Sequence, residues 1–538
     1  MKGAEISVDL SKVTELNVID EKKAEEEHED NQENVMVIND VSFKEAKLKE
    51  LESWEKNGVY IEQEDSGEKC ISTRWICNLK ETPSGTIQKA RLVARGFEEN
   101  DKDNIQKDSP TCGSDSLRVV LATLAQKGWS PHSIDIKTAF LQGSEISREV
   151  YIKPPAEAKT KGIIWKLRKC VYGLSDASLS WYNKVKEILG HSGVEVSRLD
   201  PAVFLWKNQQ GYVQGLIACH VDDFLWGGSC EFETQVIGNI RSKLSVGREE
   251  NGSFPYVGIE IAQIEKTITL KQMAYQENLQ LIDVDKDRLS TKDAILNEKE
   301  KEDLQSKIGQ ILWIARQIRP DIIFEASNLA SSLNRASVQT LVEANKIIKN
   351  IKSEKVVLKF QSLGEDENLQ LLVFSDSSHG NLYDGGTQGG HFIALSGING
   401  LFSPLTWQSK RIRRIVRSTL AAETLAMTDA VDNAVFLASL YTELYFGNAT
   451  PKQLPIICIT DCKSLWEAIR STKQVSEKRL RLEISSIREL LQQRQIKTVE
   501  WIDTKNQLAD CLTKRGASSL NLLKALEKGA WLDSSSKV

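Results

Sequence analysis

The sequence predicts a mixed α/β (α+β) chain: one α/β region, a helical connector, and a second α/β region. Three observations predict it. Short apolar runs bounded by turn residues alternate with helical patterns up to about residue 285; residues 300–353 read as mostly helical and polar on one side; a second alternation begins at Leu371. The 538 residues leave room for about two to four domains, each with its own core. Charged residues make up 27% and apolar residues 40%, the balance of a globular chain. No apolar run reaches the roughly 18 residues of a membrane span, and the N-terminus lacks the apolar centre of a secretory signal. Nine cysteines lie scattered without paired metal spacing, which predicts reduced thiols in an intracellular protein.

Taken in order, residues 1–40 hold AEEEHEDNQEN, with 4 basic and 12 acidic side chains, and predict a disordered acidic tail or a linker left from a longer precursor. The net charge of −5 therefore conceals a slightly positive remainder. A helix is expected from about Ser42 to a stop at Gly58. Strands are expected at STRWICNL and, after a Pro-Ser-Gly turn, at QKARLVARGF. Residues 115–128 and 176–191 read as helices and 133–136 as a short buried strand. VQGLIACHVDDFLWGG reads as two strands folded about Val221-Asp222-Asp223. No internal repeat interrupts this order.

Two groups of carboxylates stand out. Asp135 ends a short apolar strand, and Asp222 and Asp223 sit at a reversal inside an apolar hairpin. Adjacent carboxylates in apolar surroundings are costly unless a cation neutralises them. Magnesium takes oxygen ligands, and two such ions roughly 3.5–4 Å apart activate an attacking hydroxyl and stabilise a leaving pyrophosphate. In the second group, Asp376 and Asp461 each end a buried run, so neighbouring strands would bring both to one sheet edge. Glu423 shares a helical stripe with Met427, Ala430, Ala434, Leu437, Tyr441 and Leu444, and Asp510 in NQLADCLTK completes the set. The run Lys410-Arg411-Ile412-Arg413-Arg414-Ile415-Val416-Arg417 places five cations in eight residues, either a solvated face or a phosphate contact.

Over roughly residues 43–515 the chain resembles the reverse transcriptases of copia-type LTR retrotransposons. The words that carry the resemblance are KARLVARGF, IDIKTAFLQG, VYGLSDASLSWY, DPAVFL, VDD, YVGIEI and IGQILWIARQIRPDI, in family order. FSDSSHG, STLAAET, ITDCKS and NQLADCLTK resemble the ribonuclease H attached to such polymerases. The resemblance implies a right-hand polymerase fold with fingers and palm over 41–285, a helical thumb or connection over 286–365, a ribonuclease H-like domain over 366–515, and a C-terminal tail at 516–538. It implies a polymerase triad of Asp135, Asp222 and Asp223, and a nuclease set of Asp376, Glu423, Asp461 and Asp510. Two Mg2+ (or Mn2+) ions are expected at each site.

Further expectations follow from the same resemblance. Lys89, Arg91 and Arg95 would share one strand face and meet an incoming triphosphate, an ordinary exposed face being the alternative. Tyr172, Gly173 and Leu174 would lie near template and nucleotide. Trp181 and Tyr182 read as core aromatics, and Gly258 as a turn near the primer end. Lys410, Arg411, Arg413, Arg414 and Arg417 would contact the backbone of a hybrid. His220 replaces the family's usual tyrosine, and Lys478-Arg479-Leu480-Arg481 stands where many relatives carry histidines.

The expected activity is RNA-directed DNA synthesis with ribonuclease H cleavage of the RNA strand. Expected partners are an RNA template, a DNA or tRNA primer, RNA–DNA hybrid and dNTPs, with no membrane; an oligomeric state is not readable. The expected location is intracellular: cytoplasmic virus-like particles, with a nuclear phase. No protease triplet, integrase-like zinc site or zinc knuckle is visible, so the chain reads as the C-terminal part of a Pol polyprotein or a gene derived from one. A host-retained relic that only binds nucleic acid or protein is the alternative. The presence of all seven expected carboxylates argues against decay.

Overall fold

The computed structural model describes residues 43–82, 85–99, 104–158, 161–471, 475 and 477–531. The expected acidic tail at 1–40 lies outside the described residues. The chain divides into two compact units: one holds the residues up to Ser109 with Thr138–Glu187, the other Pro110–Lys137 with Ile188 onward.

The first unit opens with helix α1 (Lys44–Lys56), which buries Ala46, Leu51 and Trp54. It stops where predicted, at Gly58, whose φ of 60° suits a residue without a Cβ. Strands β1 (Tyr60–Glu64), β2 (Cys70–Ile71), β6 (Tyr151–Ile152) and β7 (Ile163–Leu167) form a sheet in the order β1-β7-β6-β2. Strands β3 (Thr73–Thr82) and β4 (Gly85–Ala94) make a separate antiparallel ribbon. Trp54, Leu92, Leu141, Ile152, Trp165 and Val171 form the core, with Tyr60 stacked 3.8 Å from Trp165. Each such large apolar side chain contributes about 1.5–3 kcal/mol by burial. The helix expected at 176–191 spans Ala177–Gly190.

In the second unit, helix α2 (Ser114–Lys127) backs an antiparallel sheet in the order β12-β5-β11-β10-β9-β8. Its strands are β5 (His132–Ile136), β8 (Val194–Val196), β9 (Val203–Lys207), β10 (Val213–His220), β11 (Asp223–Gly228) and β12 (Val246–Asn251). The expected hairpin is β10–β11. Its open end pairs Gly215 with Gly228, and a Cβ on either would lie 2.1–2.5 Å from the Phe232 ring. A third sheet runs β13 (Ser253–Tyr256), β14 (Ile259–Ile264), β15 (Thr267–Lys271) and β16 (Leu358–Phe360).

The expected helical connector contains α3 (Glu298–Gln317), α4 (Ile323–Ser331) and α5 (Val338–Ser353). It is more than a connector, because β16 returns to pair with β15. Arg319, fully buried, is held by both carboxylate oxygens of Asp321 at 2.8 Å and donates to the carbonyls of Ile351 and Glu354 at 3.2 and 3.1 Å. It thus satisfies carbonyls that the end of α5 leaves without helical partners, which accounts for the Arg-Pro-Asp word.

The last region is a sheet in the order β19-β18-β17-β20-β21. Its strands are β17 (Gln370–Ser378), β18 (Thr387–Ser396), β19 (Phe402–Ile412), β20 (Ile456–Thr460) and β21 (Thr498–Trp501). Helix α6 (Thr419–Phe446) lies against β17 and β18, and α7 (Lys463–Arg470) and α8 (Lys478–Gln492) complete the layer. The expected tail at 516–538 is instead docked as far as it is described. Helix α9 (Leu520–Lys528) buries Leu522, Ala525 and Leu526, and Trp531 meets Phe374 edge-on at 5.0 Å. Those apolar residues recur at helical spacing, and burying them outweighs the cost of ordering a chain end.

No break between compact units falls at 365/366, where the domain boundary was expected. Arg118 of α2, nearly buried, donates to the Leu405 carbonyl of β19 at 2.6 Å and to the Arg316 carbonyl of α3 at 3.1 Å. Its guanidinium lies 4.2 Å from the Trp407 ring, and Trp407 Nε1 donates to the Ala315 carbonyl at 2.8 Å. Among the described residues, no helix is long and apolar enough to cross a membrane.

Candidate active sites

The first carboxylate group is assembled by strand register. Antiparallel pairing of β5 with β11 sets Asp135 directly opposite Asp223, and Asp222 forms the tip of the hairpin. The Ile136 amide donates to the Asp222 carbonyl at 3.0 Å, tying that tip to β5. Val221 turns the corner at φ 53°, a left-handed conformation that costs a β-branched residue about 1–3 kcal/mol and is tolerated because the surroundings hold it. Tyr256 Oη donates to the Ala218 carbonyl at 3.2 Å, bracing the hairpin beneath the carboxylates. Burial, then the charges of Asp222 and Asp135, push the Asp223 carboxyl up to about 6, against His220 and Arg248. A group that resists ionising beside two like charges suits a divalent cation.

Two contributors to this site gave no sequence signal. Gly247 on β12 lies so close to Asp135 that a Cβ would stand 2.2 Å from its Oδ2. Tyr256 was read only as part of a family word. His220 pairs with Asp223 across the hairpin.

The second group lies at one end of β17 and β20, which run parallel with Phe374 opposite Ile459. Ligand oxygens of Asp376, Asp461 and Asp510 all fall within 4.8 Å of one another. Among the described residues this is the one cluster of three or more such ligand residues that close. Ser418 caps α6 by accepting from the Ala421 amide at 3.2 Å, placing Glu423 in its opening turns. One Glu423 oxygen accepts from the Ser377 amide and hydroxyl at 3.2 and 2.8 Å. The other is buried without a hydrogen-bond partner among the described residues. Burial, opposed by Lys514 and Thr513, pushes Asp376 up to about 7. Burial and then Asp376 hold Glu423 well above the usual carboxylate range. Crowded acceptors and a buried oxygen lacking a donor are what a divalent ion would satisfy.

Polar contacts fix the remaining ligands. Asp461 accepts from Thr504 Oγ1 at 2.7 Å, and Asp376 accepts from Thr513 Oγ1. Gln507 donates to the Ser375 carbonyl at 3.0 Å and accepts from the Ala509 amide at 3.1 Å, so NQLAD reads as a clamp holding the Asp510 turn against β17. Lys514 pairs with Asp510 and lies 3.3 Å from Asp376 Oδ1. The sequence reading passed over it.

The expected basic contacts are more mixed. Lys410 pairs with Asp429 at 3.0 Å, Arg411 with Asp384, and Arg414 with Glu483. Arg413 and Arg417 are exposed and make no ion pair among the described residues. The run is therefore partly neutralised by the protein itself. Lys478 opens α8 with Arg479 and Arg481, and Leu480 faces inward.

In the first unit, Lys89 is exposed and Arg91 half-buried on one face of β4, opposite buried Ala90, Leu92 and Ala94. Arg95 does not continue that face. The strand ends at Ala94, whose amide donates to the Tyr172 carbonyl at 2.8 Å. There two backbones cross at contact: a Cβ on Gly173 would lie 2.0 Å from the Ala94 oxygen, and one on Gly96 2.0 Å from the Gly173 oxygen. The RGF and YGL words are two halves of one crossing. Arg91 stands 5.6 Å from the Tyr172 ring. Asp176 of the same second word is gripped through both oxygens by Arg148, at 3.0 and 2.7 Å. Leu174, Trp181 and Tyr182 are buried. Gly258 turns at φ 70° in the second unit, against Trp313.

Residues 57–287 match the family described as reverse transcriptase (RNA-dependent DNA polymerase). The chain is 24% identical over 466 residues to the retrovirus-related Pol polyprotein from transposon RE1 of Arabidopsis thaliana, covering 82% of this chain and 30% of that protein. It is also 24% identical to the Pol polyprotein from transposon TNT 1-94 of Nicotiana tabacum, over 87% of this chain and 36% of the relative. The same identity holds for the Ty1-GR2 Gag-Pol polyprotein of Saccharomyces cerevisiae, over 87% and 27%. The chain thus spans about a third of the curated relatives it matches. In fold it resembles a foamy viral protease–reverse transcriptase solved in complex with double-stranded DNA, with a TM-score of 0.51 at 15% identity, covering 86% of this chain and 70% of that one.

Proposed function

We propose that this chain, which carries a reverse transcriptase domain over residues 57–287 and has copia-type Pol polyproteins as its relatives, is an RNA-directed DNA polymerase with a ribonuclease H at its C-terminal end. The observation that carries the polymerase reading is the register of β5 and β11, which sets Asp135 against Asp223 beside Asp222. Divalent ions held there would activate the primer hydroxyl and neutralise the leaving pyrophosphate. The protein's part is to present two carboxylates on a braced hairpin and a third on the strand beside it. Asp223, pushed up to about 6, must give up its proton to serve. Lys89 and Arg91 are proposed to meet the triphosphate of the incoming dNTP.

The ribonuclease H reading rests on the grouping of Asp376, Asp461 and Asp510 with Glu423. These four would hold two Mg2+ or Mn2+ ions against the RNA strand of an RNA–DNA hybrid, with Arg413 and Arg417 as the cations best placed to meet its phosphates. An RNA template with a DNA or tRNA primer is the proposed substrate, and cytoplasmic particles with a nuclear phase the proposed location. Primer extension on RNA with Mg2+ or Mn2+ tests the first activity. The wild type should extend and Asp222→Asn should not; template binding without extension in either metal would favour a catalytically dead relic.

A further inference from the structure

We propose that Lys514 is a built-in counter-ion of the nuclease site, holding its carboxylates together before metal arrives and weakening the binding of the divalent ions that displace it. The proposal rests on the ribonuclease H reading of these four carboxylates. The Lys514 ammonium bridges Asp510 and Asp376, 3.3 Å from Asp376 Oδ1. Both belong to the trio whose ligand oxygens lie within 4.8 Å of one another, so the ammonium contacts two of the carboxylates that would hold a divalent ion. An ammonium is a compact point charge with three donors and no acceptor, which suits it to stand in for a metal. It also has a way out, since its side chain remains about 33% exposed while that of Asp376 is buried. Four residues separate Asp510 from Lys514, so the turn that supplies a ligand also supplies its competitor.

The consequence is an exchange of cations. Without divalent metal, Lys514 offsets part of the repulsion among Asp376, Asp461, Asp510 and Glu423. With metal, the ammonium must withdraw from at least one carboxylate. Removing it should therefore tighten metal binding while destabilising only the metal-free protein. A residue that merely packs would destabilise both forms. A residue that only meets phosphate would change neither.

The test uses the full chain in an Asp222→Asn, Asp223→Asn background, which silences the other carboxylate group. Mn2+ is titrated by calorimetry, and melting is followed with and without Mn2+. Lys514→Met should bind Mn2+ at least about tenfold more tightly, the scale on which groups contacting metal ligands act. It should melt lower than its parent without metal and level with it in saturating Mn2+, and Lys514→Arg should behave like the parent. An unchanged Mn2+ affinity, or an equal melting loss with and without Mn2+, overturns the proposal. Failure of the nuclease reading looks different: the Asp222→Asn, Asp223→Asn parent would then bind no Mn2+ that a further Asp461→Asn removes.

Discussion

Gly247 has no Cβ, and the space one would fill belongs to a carboxylate oxygen of Asp135. Gly247→Ala should push that oxygen aside and cut primer extension on the order of a hundredfold, as misplacement by about 1 Å does elsewhere. Circular dichroism of the variant should be unchanged. A second residue reports through pH. Burial, helped by the charge of Asp321 and opposed by a backbone hydrogen bond and Lys346, raises the Glu325 carboxyl on α4 to about 7, and one of its oxygens is buried without a hydrogen-bond partner among the described residues. The folded protein thus holds a proton that the unfolded chain releases near 4.5. Stability from this group is full below that pH and is lost as pH rises toward about 7. Glu325→Gln should flatten that part of the melting profile and melt higher than wild type at pH 8; a parallel profile would show that Glu325 does not titrate there. The seven carboxylates stand out in the sequence because each ends or interrupts an apolar run. Gly247, Tyr256 and Lys514 were not readable as site residues, because what defines them is another segment brought close by the fold.

Elements were readable where they are long and periodic. The β10–β11 hairpin, α2 and the helices of the connector follow from spacing alone. Strand β16, three residues long, carries no period, and its place beside β15 is set by pairing partners more than eighty residues earlier. The end of β4 was overrun for a different reason: alternation continues through Arg95, but the Tyr172–Gly173 backbone crosses there and stops the ladder. The 410–417 segment shows composition and geometry diverging. Its five cations suggest a uniform patch, yet Lys410, Arg411 and Arg414 already have carboxylate partners. Replacing Arg413 and Arg417 together with Ala should shallow the salt dependence of hybrid binding by up to about two counterions. The Arg411→Ala, Arg414→Ala pair should change it less, as measured by anisotropy across a salt series. Equal slopes for the two pairs would remove the distinction.

For the molecule as a whole, the two carboxylate groups differ in their ligands but share one compact unit. A point change should separate them: Asp461→Asn should abolish RNA cleavage in a hybrid and leave primer extension within about twofold on the same gel, since it alters charge and not packing. Cutting the chain at 365 should not separate them. That cut removes the Leu405 carbonyl and the Trp407 ring that cover Arg118, although Asp115 and the Arg316 carbonyl remain to it, and it uncovers the face of α2 that packs against α6 and β19. The fragment should be recovered largely insoluble, and Arg118→Met in the full chain should lower stability by about 3 kcal/mol or more through stranded carbonyls. The same contact imposes an order in time. Arg118 leaves the ribosome 287 positions ahead of Leu405. At roughly 5–20 residues per second, that is a wait of about a quarter of a minute to a minute. Helix α2 must spend the interval with one face uncovered, so the second unit completes its packing only after β19 has been made.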